Sequence, residues 1–110
     1  MKRIVATAVA VGISVYLGGS FLPGSMAEGA EQPGEALFKK NCALCHVNGG
    51  NIVNAQKTLH KKDREAHGVK TAADIIKNMR NPGPGMTKFD GKTIPEKDAR
   101  QIADYILKTY

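Results

Sequence analysis

The stretch Cys42-Ala43-Leu44-Cys45-His46 holds both cysteines of a 110-residue chain and one of its three histidines. Two thiols three positions apart can form a disulfide, half of a metal site, a redox-active dithiol or an anchor for haem. A Cys42–Cys45 disulfide would close a tiny loop and stabilise little. A redox dithiol wants a βαβ neighbourhood, and the chain shows no strand pattern. Zinc needs four ligands, and His46, His60 and His67 could nominally join the two thiolates. Adjacent residues such as Cys45 and His46 point in different directions, however, so sharing one tetrahedral ion strains the backbone. Haem attachment uses every residue of the motif. Two thioethers bind the vinyl groups along one side of the porphyrin, and the turn between them presents His46 to the iron.

One axial position then remains, and its occupant decides the chemistry. An open position permits gas binding or peroxide chemistry, whereas a strong sixth ligand restricts the iron to electron transfer. The candidates are Met79, Met86, His60 and His67. Met79 shares a helical face with Ile75 and Ile76 and reads as core. His60 and His67 lie among Lys61, Lys62, Asp63, Arg64 and Glu65, a run that implies solvent. Met86 ends Asn81-Pro82-Gly83-Pro84-Gly85, which has no helical period. There the prolines stiffen the backbone and the glycines let it approach a flat macrocycle. His46 and Met86 are therefore the expected metal ligands. The expected function is a one-electron carrier whose haem iron cycles between Fe(III) and Fe(II), with no substrate bond made or broken and hence no enzyme. The alternative is a gas- or peroxide-binding haem protein with an exchangeable sixth ligand.

These residues need elements to hold them. Gly34 to Asn41 reads as a short helix running into the cysteines, and Val47 to Gln56 as a loop broken by Asn and Gly. Leu59 to His67 reads as a charged helix with Gly68 at its end. Thr71-Ala72-Ala73-Asp74 resembles a capping box for a helix that carries Ile75, Ile76 and Met79 and stops before Pro82. Pro95 and Glu96 open the last helix, with Ala99, Ile102, Ala103 and Ile106 at helical spacing. The expected fold class is all-α with long loops.

The N-terminus belongs to another function. Met1-Lys2-Arg3 is basic, Ile4 to Leu22 carries no charge, and Ser25-Met26-Ala27 offers a small-x-small cleavage site. Residues 1–27 are expected to be an export signal cut after Ala27, with an uncleaved anchor as the competing reading. Residues 28–33 form a leader or linker, and residues 34–110 the haem domain. The site of action is then the periplasm or an equivalent exported compartment. The formal net charge is +6 from 16 basic and 10 acidic residues. Loss of Lys2 and Arg3 leaves 14 basic and 10 acidic residues, a net +4. Scattered lysines with no basic helix and no aromatic ladder exclude nucleic acid as a partner. Lys39, Lys40, Lys57, Lys61 and Lys88 are candidates for docking the acidic surface of a redox protein, with the carrier itself a monomer. After the cut the domain has no tryptophan and four aromatic rings, so a covalently bound porphyrin is also the expected core filler.

On these residues the chain resembles the class I monohaem c-type cytochromes, in particular the photosynthetic cytochrome c6 and its bacterial relatives. The likeness covers nearly all of residues 34–110. It rests on Gly34-x-x-x-Phe38, Cys42-x-x-Cys45-His46, Gly49-x-Asn51-x-Val53, Lys57-Thr58-Leu59, the loop to Met86 and the final helix with Tyr105. The resemblance implies about four short helices wrapped around one haem c, the Gly34 face crossing the last helix near Tyr105, and Met86 as distal ligand. It also implies that Asn51 lines the haem edge and hydrogen-bonds near a propionate. Two positions depart from the family pattern. Asn78 stands where a glutamine is usual, and Thr87 follows the methionine where proline is usual.

Overall fold

In the computed structural model, Gly12 and residues 31–110 are described; the rest of the expected export signal and the first half of the linker lie outside them. Four α-helices and one 3-10 turn make up the regular structure, with no strand among the described residues. They are α1 (Glu35–Asn41), the turn Val47–Gly49, α2 (Lys61–Ala66), α3 (Ala72–Arg80) and α4 (Glu96–Thr109). None of these helices is long and apolar enough to cross a membrane.

The longest helix, α4, is the platform. Its inward positions Ala99, Ile102, Ala103, Tyr105 and Ile106 are buried at helical spacing. Ile94 precedes the Pro95 cap and is also buried, while Ala99 occupies the fourth helical position. That is the arrangement of a hydrophobic staple, which sets the angle at which the chain enters the helix. Packed on α4 are α3, through Ile75, Ile76 and Met79, and α1, through Phe38.

The crossing of α1 and α4 depends on Gly34. This residue caps α1 with φ +92°, a left-handed conformation open to glycine at little cost. A β-carbon there would collide with the Gln101 backbone carbonyl of α4. Just beyond the crossing, the Phe38 ring lies 5.3 Å from Tyr105 and 5.7 Å from Tyr110 between centroids. Tilted aromatic pairs at such distances stabilise beyond their buried area.

The expected capping box of α3 is formed in full. Thr71 Oγ1 accepts from the Asp74 amide, and Asp74 Oδ2 accepts from the Thr71 amide at 2.9 Å. Hydrogen bonds from the Lys70 and Thr71 amides hold the Asp74 carboxyl below its ordinary pKa. Helix α2 is shorter than its charge pattern predicts. The Leu59 amide is spent on the Gly49 carbonyl at 2.7 Å, so the chain stays extended through His60 and turns helical only at Lys61.

Replacing Gly34 with Ala places a side chain at positive φ against backbone. The cost is expected to be about 2–3 kcal/mol, read as a lower guanidinium midpoint of the holoprotein. Ala36→Gly, on the exposed side of the same helix, is expected to cost only about 0.5–1 kcal/mol. Equal midpoints for the two variants would contradict this account of the crossing.

Candidate haem site

Helix α1 ends in a tight turn built on its own last carbonyls. The Cys42 and Ala43 amides both donate to Phe38, and the Cys45 and His46 amides both donate to the Cys42 carbonyl. The motif thereby wraps once about Cys42 and turns His46 toward the interior. His46 Nδ1 donates to the Gly50 carbonyl at 2.7 Å, because a carbonyl can only accept. That bond fixes the tautomer and leaves Nε2 as the free lone pair, the arrangement of a metal-binding histidine supported from behind. The Cys42 thiol is half-buried, and burial pushes its pKa up to about 11.

The turn opens onto a cavity of about 610 Å3, within the ~300–1,000 Å3 span usual for cofactor sites. Cys42, Cys45 and His46 line it, as does the whole segment from Pro82 to Thr87. The floor is apolar, from Ile75, Met79, Ile102 and Ile106 of α3 and α4. Met86, at the end of the Pro/Gly run, lines the same cavity as the motif and is partly exposed. Met79 is buried in the core as expected, and its side chain also reaches the cavity floor.

The segment from Pro82 to Thr87 is held at its base. The Arg80 guanidinium, at the end of α3, donates to the carbonyls of Phe89 at 3.0 Å and Asp90 at 2.9 Å. It also pairs with Glu96 at 3.3 Å, and the Phe89 amide returns to the Met79 carbonyl. Residues 81–88 are thus a loop pinned at its base. At its tip Gly85 has φ +87°, and a β-carbon there would lie 2.7 Å from Val53 Cγ1. The Pro/Gly loop there packs against the loop that carries Asn51 and Val53.

Asn51 lies in the loop lining the cavity. Its Oδ1 accepts from the amides of Val53 and Asn54, and its Nδ2 donates to the Lys57 carbonyl at 2.8 Å. One amide hydrogen is left over. His60 is exposed and sets its ring edgewise on Tyr110, while the exposed His67 reaches the cavity rim and bonds its own helix through Asp63. Among the described residues no group of three His, Cys, Asp or Glu side chains could hold a metal ion, which leaves the zinc reading without a site.

Two residues escaped the sequence reading. Arg80 looks like one more cation at a helix end, and only the fold shows that it ties down the loop. Arg64 belongs to the charged run read as solvent-facing, yet it is 5% exposed. A signal existed: α2 has a face toward the protein, and its lone apolar residue, Ala66, is exposed. A charged side chain had to turn inward.

The cavity's lining fits a haem: aliphatic side chains, two thiols, a supported imidazole and a thioether sulfur. Known proteins agree. The family model described as "Cytochrome C oxidase, cbb3-type, subunit III" matches residues 29–106. Cytochrome c6 of Synechocystis sp. is 37% identical over 100 residues, covering 90% of this chain and 82% of that protein. Cytochrome c6 of Nostoc sp. is 36% identical over 107 residues, covering 97% and 93%. The solved structure of OmcF, an outer membrane cytochrome of Geobacter sulfurreducens, superposes with a TM-score of 0.68 at 44% identity, covering 70% of this chain and 98% of that one. The chain belongs to the class I monohaem c-type cytochromes. Within that class its similarity runs to the c6 cytochromes; it carries haem c bound covalently through Cys42 and Cys45 and takes part in electron transport.

Covalent attachment has a direct readout. The wild-type chain is expected to keep its haem stain on a denaturing gel, and the Cys42→Ser/Cys45→Ser double variant to lose it. Stain retained by the double variant would contradict attachment through these sulfurs.

Proposed function

We propose that the protein is an exported electron carrier in which His46 and Met86 bind the haem iron from opposite faces. The observation that supports this reading is that both side chains line one cavity, His46 on a ring held by the Gly50 carbonyl and Met86 on a loop whose base Arg80 holds. Bound there, haem supplies a one-electron couple, and a thioether opposite an imidazole favours its reduced state more than a second imidazole would. The chain's own contribution is rigidity. Gly50 holds the His46 ring, and Arg80 and the Gly85–Val53 contact hold the loop of Met86, so neither ligand has to move when the charge changes. Asn51 shapes the loop along the haem edge and has one amide hydrogen free to serve a propionate.

Residues 1–27 direct export and are removed after Ala27, residues 28–33 link, and residues 34–110 work as a monomer outside the cytoplasm. The partners are redox proteins that meet the exposed face carrying Val53 and Met86. Of the lysines proposed for docking, Lys39 is engaged by Glu31 and Glu35, and Lys61 by Glu65. Lys57, on the cavity rim, and Lys88, two residues beyond Met86, have no carboxylate within ion-pair distance among the described residues. They steer an acidic partner, with Lys40 on the helix before the motif.

Met86→Ala is expected to abolish the sulfur-to-iron charge-transfer band of the oxidised protein and to let the reduced protein bind carbon monoxide readily. Met79→Ala is expected to keep the band. Its loss in Met79→Ala would mean the wrong methionine, and carbon monoxide binding by the wild type would favour an exchangeable sixth site.

Oxidation by an anionic inorganic complex is expected to slow as salt rises from about 10 to 150 mM, where the Debye length falls from about 30 to 8 Å. The Lys57→Glu/Lys88→Glu variant is expected to be slower at low salt and less dependent on it. An unchanged salt profile in that variant would remove these lysines from docking.

A further inference from the structure

Arg64 is the one charged side chain buried among the described residues. Its Nε donates to the Leu59 carbonyl at 2.6 Å and its Nη1 to the Val69 carbonyl at 3.5 Å. Those bonds satisfy donors but bring no negative charge. No carboxylate lies within 4 Å of the guanidinium among the described residues. The adjacent Asp63 turns to Thr58, whose hydroxyl donates to it at 2.5 Å. An unpaired buried charge costs several kcal/mol even after relaxation, so a folded protein keeps one only where an anion answers it. Arg64 lines the cavity wall, and the charged groups of haem are its two propionate carboxylates.

We propose that Arg64 is a haem-binding residue whose guanidinium pairs with a propionate. The two carbonyl bonds hold the guanidinium plane in place, so little side-chain freedom remains to be lost when the carboxylate arrives. A planar fork suits a carboxylate better than an ammonium does. The pairing keeps one propionate ionised and sets a fixed positive charge near the iron, which favours the reduced state. The other ionisable groups around the cavity, besides the attachment motif, are Lys57, Asp63 and His67; α3 and α4 contribute none. The proposal rests on haem filling this cavity; staining on a denaturing gel checks separately that every variant used carries attached haem.

Two measurements test it. In the wild-type holoprotein, carbon-13 NMR of haem labelled at the propionate carboxyls is expected to show one carboxylate titrating well below the other. Two propionates titrating together in the ordinary carboxylate range, about 4–5, would overturn the pairing. In Arg64→Gln, equilibrium redox titration at alkaline pH is expected to shift the Fe(II)/Fe(III) ratio toward Fe(III) at fixed ambient potential. The shift is roughly tenfold, the scale of one unit charge at a range of order 10 Å in a protein interior. The gap should narrow as pH falls, because a propionate deprived of its cation takes up a proton and restores the local charge. Lys57, Asp63 and His67 are present in both proteins, and their charges largely cancel in the difference. A haem-stained Arg64→Gln protein that melts earlier, yet matches the wild-type potential at every pH, would leave Arg64 only its carbonyl bonds and overturn the proposal.

Discussion

The fold is organised around a volume that its side chains do not fill. Ile75, Met79, Ile102 and Ile106 line the floor of a cavity of about 610 Å3 and pack outward from it as much as against each other. Without a filling group these aliphatic side chains face open space and forfeit the dispersion contacts of a packed core. A large apolar group attached through Cys42 and Cys45 turns that deficit into packing. It also ties the end of α1 to the α3–α4 pair, which α1 otherwise meets chiefly at the Gly34 crossing and the Phe38 ring.

The residues that meet the cavity on its two sides are held in different ways. On the motif side, a single carbonyl, Cys42, accepts from both Cys45 and His46, so attachment and ligation share one turn. On the far side, the loop has no regular structure of its own, and Arg80 supplies its base from outside it. Gly85 against Val53 joins the two sides without a covalent link. This division shows how the loop can be stiff with Thr87, not the proline that the family resemblance leads one to expect, after the methionine. Stiffness comes from Pro82, Pro84 and the Arg80 clamp, all of them before or below the methionine.

Much of this was legible in the sequence. Helices α3 and α4 announce themselves by apolar spacing, and Thr71 and Asp74 mark a helix start because local hydrogen bonds are encoded locally. Cys42, Cys45, His46 and Met86 stand out because their chemistry is rare and their spacing is constrained. What escaped notice depends on tertiary contacts. The late start of α2 follows from the Leu59 amide bonding Gly49, ten residues earlier, which no helical pattern reports. Arg64 and Arg80 are invisible as single letters, since an arginine is solvated by default and only the fold reveals carbonyls within its reach. Lys39 and Lys61 likewise read as free cations until Glu31, Glu35 and Glu65 are seen beside them.

The central claim is that one haem is held between His46 and Met86. Proton NMR of the reduced, diamagnetic holoprotein with methyl-labelled methionine tests it most directly, because a methyl group on the axial sulfur sits in the porphyrin ring current. The account predicts that the Met86 methyl resonance is displaced far upfield and that of Met79 much less. A Met86 methyl at its ordinary position, with Met79 or neither displaced upfield, would contradict it.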